Sequence, residues 1–101
     1  MYRLVWEFDA KPECVTEFEL EYGTEGRWAQ FFSASPDFLG TELYRNTRAA
    51  ERFIAVDVWR NRSAYEAFRK ANATEYAAID ESCRKLLNHE RMLGVTDDGK
   101  A

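Results

Sequence analysis

The stretch over residues 53–68, FIAVDVWRNRSAYEAF, constrains this chain more than any other. Ile54, Val56 and Val58 are β-branched and alternate with Ala55, Asp57 and Trp59, which is the period of a strand. A few residues on, the period changes. Ser63 with Glu66 has the spacing of a capping box, in which each side chain satisfies an orphan amide, so a helix is expected to open at Ser63. Tyr65 and Phe68, three apart, then share one helix face. A strand that delivers a Trp into a tight corner and an amphipathic helix must lay that helix back on its own sheet. The sheet and any pocket are expected around this corner.

A chain of 101 residues is one domain with one core. The domain is expected to span 1–95, with 96–101 a disordered C-terminal tail. Three Trp, five Tyr and seven Phe are generous for that core, and leave apolar surface for a partner or ligand. The net charge of -4 argues against binding the nucleic-acid backbone. No apolar run approaches the roughly 20 residues of a membrane span, and the N-terminus does not read as a signal peptide. A cytoplasmic protein is therefore expected, without membrane or nucleic-acid partners. Cys14 and Cys83 match no metal or redox spacing, and a single His argues against a zinc site of His/Cys type.

In chain order, residues 2–9 alternate Tyr2, Leu4, Trp6 and Phe8 on one face with Arg3, Val5, Glu7 and Asp9 on the other. Lys11-Pro12-Glu13 starts a helix whose stripe is Val15, Phe18 and Tyr22, and Gly23 stops it. The 23–26 segment, Gly-Thr-Glu-Gly, follows a helix and lacks a Lys-Ser/Thr, so it reads as a turn, not a phosphate loop. A helix over 27–33 carries Trp28, Phe31 and Phe32 and ends at Ser35-Pro36. Residues 38–45 read as a strand in which Gly40 marks a bulge or close approach. The polar link 46–51 joins it to the strand 52–59 as an antiparallel hairpin. After the Ser63 helix, Asn72 with Glu75 starts another, with Tyr76, Ile79 and Cys83 at core spacing. Residues 89–95 form a short last strand.

Strand, helices, strand, strand, helices, strand is the split βαβ order. It predicts an α+β, ferredoxin-like fold: an antiparallel four-stranded sheet with helices on one face. The other face would be bare, yet both residue sets of the third strand are substantially apolar. Self-pairing as a homodimer is the simplest cover.

The run Phe38-Leu39-Gly40-Thr41-Glu42-Leu43, the hairpin, Ile54 to Trp59, and Tyr65-Glu66-Ala67-Phe68 together resemble the antibiotic-biosynthesis-monooxygenase-like group of dimeric α/β barrel proteins. The likeness runs from the first strand to Gly94 and specifies a fold more than an activity. It implies that Trp59 matches the Trp closing the third strand in that family. It also implies that Tyr65 matches a Tyr that assists in the quinone-forming branch. That branch carries Asn four positions before the Trp, where this chain has Ala55. The haem-degrading branch pairs an Asn on the first strand with a His on the following helix, and this chain has neither.

Four side chains are candidate catalytic residues: Asp57, Trp59, Tyr65 and His89. Trp59 and Tyr65 read either as packing residues or as a ligand wall. Asp57 shares the phase of Trp59, so it is either ion-paired with an Arg or a base of raised pKa. His89 is either a cation capping a helix C-terminus or an acid/base. Arg45, Arg48, Arg52, Arg60 and Arg62 form a solvated rim or an anion-steering entrance. The resemblance implies a homodimeric monooxygenase that uses no cofactor and acts on a small aromatic or polyketide-like compound. There the substrate is deprotonated by Asp57 or His89 and its anion reduces dioxygen directly in an apolar cleft. The alternative is a non-catalytic small-molecule-binding or dimerisation module on the same scaffold.

Overall fold

A computed structural model describes residues 1–98. β1 (Tyr2–Ala10) leads through a 3-10 turn at Pro12–Cys14 into α1 (Val15–Tyr22) and α2 (Arg27–Phe32). β2 (Phe38–Arg45) and β3 (Arg52–Trp59) follow as a hairpin, then α3 (Arg62–Ala71), α4 (Ala73–Arg84) and β4 (Leu87–Asp97). The sheet is antiparallel in the order β2-β3-β1-β4, the expected ferredoxin-like α+β arrangement.

Register decides which side chains meet. β1 pairs β3 with Tyr2 opposite Trp59, Leu4 opposite Asp57, Trp6 opposite Ala55 and Phe8 opposite Phe53. Directly opposed residues share a face, so these eight form one surface, and the helices pack on it. Phe53 and Trp59 are 1% and 0% exposed at its two ends. Phe18 of α1 seats its ring 4.7 Å from Phe53, and Phe32 of α2 seats its ring 5.5 Å from Trp59. Cys83 is a buried core residue of α4, as its helical spacing suggested. The opposite face presents Val5, Ile54, Val56 and Val58, flanked by charged residues such as Arg52 paired to Asp9 at 2.8 Å.

Gly40 is the expected bulge. The β2–β3 register shifts between Phe38 and Gly40, and Gly40 sits at φ +138°, where side-chain-bearing residues are strained.

Two expectations are corrected. α3 does not open at Ser63: Asn61 is its N-cap, and the Asn61 side chain accepts from Ala64 N at 2.8 Å. Glu66 instead pairs with Arg62 at 2.8 Å, one helical turn away. β4 is longer than 89–95. It begins at Leu87 and runs to Asp97 opposite Tyr2, with a bulge at the Val5/Trp6 position. Asp98 then accepts a 2.9 Å bond from Arg3. Of the expected tail, residues 96–98 are thus ordered against β1, and 99–101 lie outside the described residues.

If Asn61 is the cap, Asn61→Ala lowers unfolding free energy by about 1 kcal/mol, while Ser63→Ala changes it by a few tenths. Urea denaturation of the two variants measures both; a larger loss for Ser63→Ala would restore the capping box.

Candidate functional site

Along the covered face of β3 the sequence runs large, small, polar, large: Phe53, Ala55, Asp57, Trp59. The aromatic ends hold the helices away from the middle of the strand, and a cavity of about 40 Å³ remains over Ala55 and Asp57. Its floor is Trp6 and Phe8 of β1, with Thr41 of β2 beside Asp57. Its roof is Tyr22 of α1, Trp28 and Phe32 of α2, and Tyr76 of α4. Asp80 and Glu90 complete the lining; Glu90 is exposed and Asp80 half-buried, so they mark the solvent side. The space holds a few waters or a small functional group. Sites that enclose a whole ligand are about 300–1,000 Å³.

Asp57 is the chemical centre of this cavity. Thr41 Oγ1 donates to Asp57 Oδ1 at 2.6 Å. This is a rung of the hairpin, since Thr41 lies opposite Asp57. Among the described residues no arginine pairs with Asp57, whereas Asp9, Asp37, Asp80 and Asp98 are each held by one at 2.8–3.1 Å. The ion pair considered for it does not form. Burial pushes its carboxyl up to about 6, against a smaller opposing effect of the Thr41 hydroxyl. Burial likewise raises the Tyr76 phenol to about 12, with Arg69 acting in the opposite sense. The Glu90 carboxyl is raised by burial and by Asp80. Asp57, Tyr76 and Glu90 are thus each shifted toward the neutral form, with burial the largest cause.

The other expected site residues fall elsewhere. Trp59 does not line the cavity. It is wholly buried behind it, in ring contact with Phe32, Phe38, Tyr65 and Phe68 at 5.3–5.5 Å. Its Nε1–H meets no acceptor among the described residues, so its contacts are apolar. Tyr65 packs between Trp59 and Tyr2, and its hydroxyl accepts a 2.8 Å bond from Arg69. The Arg69 guanidinium also lies 3.7 Å over the Tyr76 ring, so it links the corner to the cavity roof. His89 is on the opposite face of the sheet. It stands opposite Asp9 in register, with Nε2 3.9 Å from Glu7 Oε1, and is not brought together with Asp57. Nor does it cap a helix, since α4 ends at Arg84. Arg45, Arg52, Arg60 and Arg62 are each paired with a carboxylate, and none lines the cavity.

The sequence offers Trp28 and Tyr76 only as packing residues of their helices, and gives Thr41, Asp80 and Glu90 no role in a site. Two signals could have found some of them. Hairpin register puts Thr41 on the rung of Asp57, and Tyr76 with Asp80 have the i, i+4 spacing of one helix face. Among the described residues no group of three or more His, Cys, Asp or Glu could hold a metal ion. No helix among them is long and apolar enough to cross a membrane.

A carboxyl raised to about 6 from 3.8 binds its proton more tightly in the folded chain than in the unfolded one. Its contribution to stability is therefore present below pH ~4 and lost as pH rises through about 6. Asp57→Asn keeps the acceptor for Thr41 and removes the buried charge. It should stabilise the protein at pH 8 by up to roughly 3 kcal/mol, and by little at pH ~4. Urea titrations at both pH values check this; equal effects at the two would contradict it.

The antibiotic biosynthesis monooxygenase family profile matches residues 1–78. A search of the curated proteins finds no match. Among solved structures the chain is similar to SnoaB, a cofactor-independent oxygenase from Streptomyces nogalater. It superposes with a TM-score of 0.77 at 19% identity, covering 99% of this chain and 94% of that one. A point variant of SnoaB gives 0.76 at 25% identity over 95% and 90% of the two chains. A conserved protein from Methanosarcina mazei Go1 gives 0.67 at 13% identity over 94% and 89%, a likeness of fold alone.

Proposed function

The chain belongs to the antibiotic biosynthesis monooxygenase family, and from that premise we propose that it is a cofactor-independent monooxygenase of a small hydroxylated aromatic compound. The observation that carries this reading is Asp57, a carboxylate raised to about 6, without an arginine partner, on the wall of an aromatic cavity. A base poised near neutral pH is what removal of a phenolic proton requires. The phenolate is electron-rich enough to reduce dioxygen, and the surrounding rings exclude water from the intermediate. One oxygen atom becomes the new carbonyl of a quinone. The other leaves as water, with the hydroxyl proton and the hydrogen lost from the ring carbon.

In this reading Trp59 and Tyr65 are positioning residues: Trp59 backs Phe32, and Tyr65 fixes the Arg69 that lies over Tyr76. His89, across the sheet, has no part in the proton transfer. Ala55 lines the cavity where the quinone-forming branch would supply an Asn donor, an interaction worth roughly 3 kcal/mol to a transition state. Weak turnover on that branch's substrates is the consequence. The second reading, a non-catalytic small-molecule-binding or dimerisation module, is favoured by one observation: a volume of about 40 Å³ does not enclose a whole substrate. The two unpaired thiols, Cys14 and Cys83, accord with a cytoplasmic protein.

Oxygen uptake with a panel of hydroxylated aromatics tests the enzyme. Uptake lost in Asp57→Asn and reduced severalfold in Tyr65→Phe is expected. Absence of uptake, with ligand-dependent Trp fluorescence retained, would leave only the binding module.

The apolar strip Val5, Ile54, Val56 and Val58 on the helix-free face supports a two-fold homodimer formed by that face. Sedimentation at micromolar concentration should show a dimer, and Val56→Lys should give a folded monomer. A wild-type monomer would remove this assembly.

A further inference from the structure

The cavity over β3 has an uncompensated sign. Three carboxylates line it, Asp57, Asp80 and Glu90, and no lysine or arginine does. Asp80 is neutralised from outside by Arg84 at 3.1 Å, but Asp57 is paired with no cation among the described residues. Arg69 lies over the Tyr76 ring at 3.7 Å and makes no ion pair with Asp57. The one polar contact to Asp57 is the Thr41 hydroxyl at Oδ1, so Oδ2 receives no bond from the described residues. The rings of Trp6, Trp28 and Tyr76 line the same cavity as this carboxylate. Indole faces carry the negative side of the aromatic quadrupole and attract cations. A desolvated carboxylate inside such a box repels anions, tolerates neutral groups and is complementary to a cation.

We propose that the ligand of this cavity carries a protonated amine, seated against Trp6 and Trp28 with Asp57 as its counter-ion. The inference rests on the reading that this cavity is the ligand site, and goes beyond it in assigning the ligand's charge. The ammonium head is of a size with the space of about 40 Å³, and the remainder of the ligand extends past Asp80 and Glu90. A bound cation keeps Asp57 ionised, the form a base needs. A substrate bearing a free carboxylate is excluded, since it would meet three acids and no base.

The test holds the ring constant and varies the charge. Benzylamine (protonated at pH 8), benzyl alcohol and benzoate are titrated into the whole protein, followed by calorimetry and Trp fluorescence. Benzylammonium is expected to bind about tenfold tighter than benzyl alcohol, and benzoate not measurably. Asp57→Asn should bring amine and alcohol near parity. Trp6→Leu, which leaves the charge in place, should weaken the amine severalfold and the alcohol less. Alcohol or benzoate binding as tightly as the amine would overturn the inference, as would no binding by any of the three. Failure here is distinguishable from failure of the oxygenase reading. Amine binding without oxygen uptake leaves this inference and removes the enzyme. Uptake with neutral phenols and no preference for amines does the reverse.

Discussion

Trp59 is the contact on which the rest of the architecture depends. It is wholly buried at the end of β3 and touches rings from α2, β2 and α3: Phe32, Phe38, Tyr65 and Phe68. Aromatic pairs at these separations add about 0.5–1.5 kcal/mol each beyond the area they bury. The ring fixes how far the helices stand from the sheet at one end; Phe53 against Phe18 does so at the other. Between those two spacers β3 supplies only Ala55 and Asp57, and the helices cannot close on them. The cavity is a consequence of that residue order more than of any one lining side chain.

The same geometry explains the electrostatics. Asp57 shares a face with Leu4 and Trp59, because alternation on β3 and register with β1 leave it no other. The rings that keep the helices apart also keep water scarce, so its charge is poorly solvated. A chain selected for stability alone would place Asn or Val there. A carboxylate with one hydroxyl for company weakens the fold at neutral pH, a cost that the role proposed for Asp57 would account for.

Much of this was legible in the sequence. The sequence marks β2 and β3 to their end residues, because alternation and the polar hairpin link are local signals. The Gly40 bulge was legible because only glycine suits φ +138°. Local signals failed where two competed or where pairing decided. Asn61 and Ser63 both offer capping side chains, and the turn after Trp59 selected Asn61 while Arg62 engaged Glu66. β4 reaches Asp97 because β1 offers partners as far as Tyr2, although Gly94 and Asp97 are poor strand formers. Chain order sets His89 near a helix end, but its rung with Asp9 turns it to the helix-free face. Of the four candidate catalytic residues only Asp57 lines the cavity; its roof comes from α1, α2 and α4, and no spacing in the chain reports that those elements meet above Ala55.

The central claim is that aromatic packing leaves Asp57 desolvated and unpaired. A pH titration of its side-chain carboxyl by carbon-detected NMR, assigned through Asp57→Asn, measures this directly. The account predicts a midpoint of about 6, well above the ordinary value of 3.8. A midpoint at or below 3.8 would mean that the carboxylate is solvated or paired, and would contradict the account.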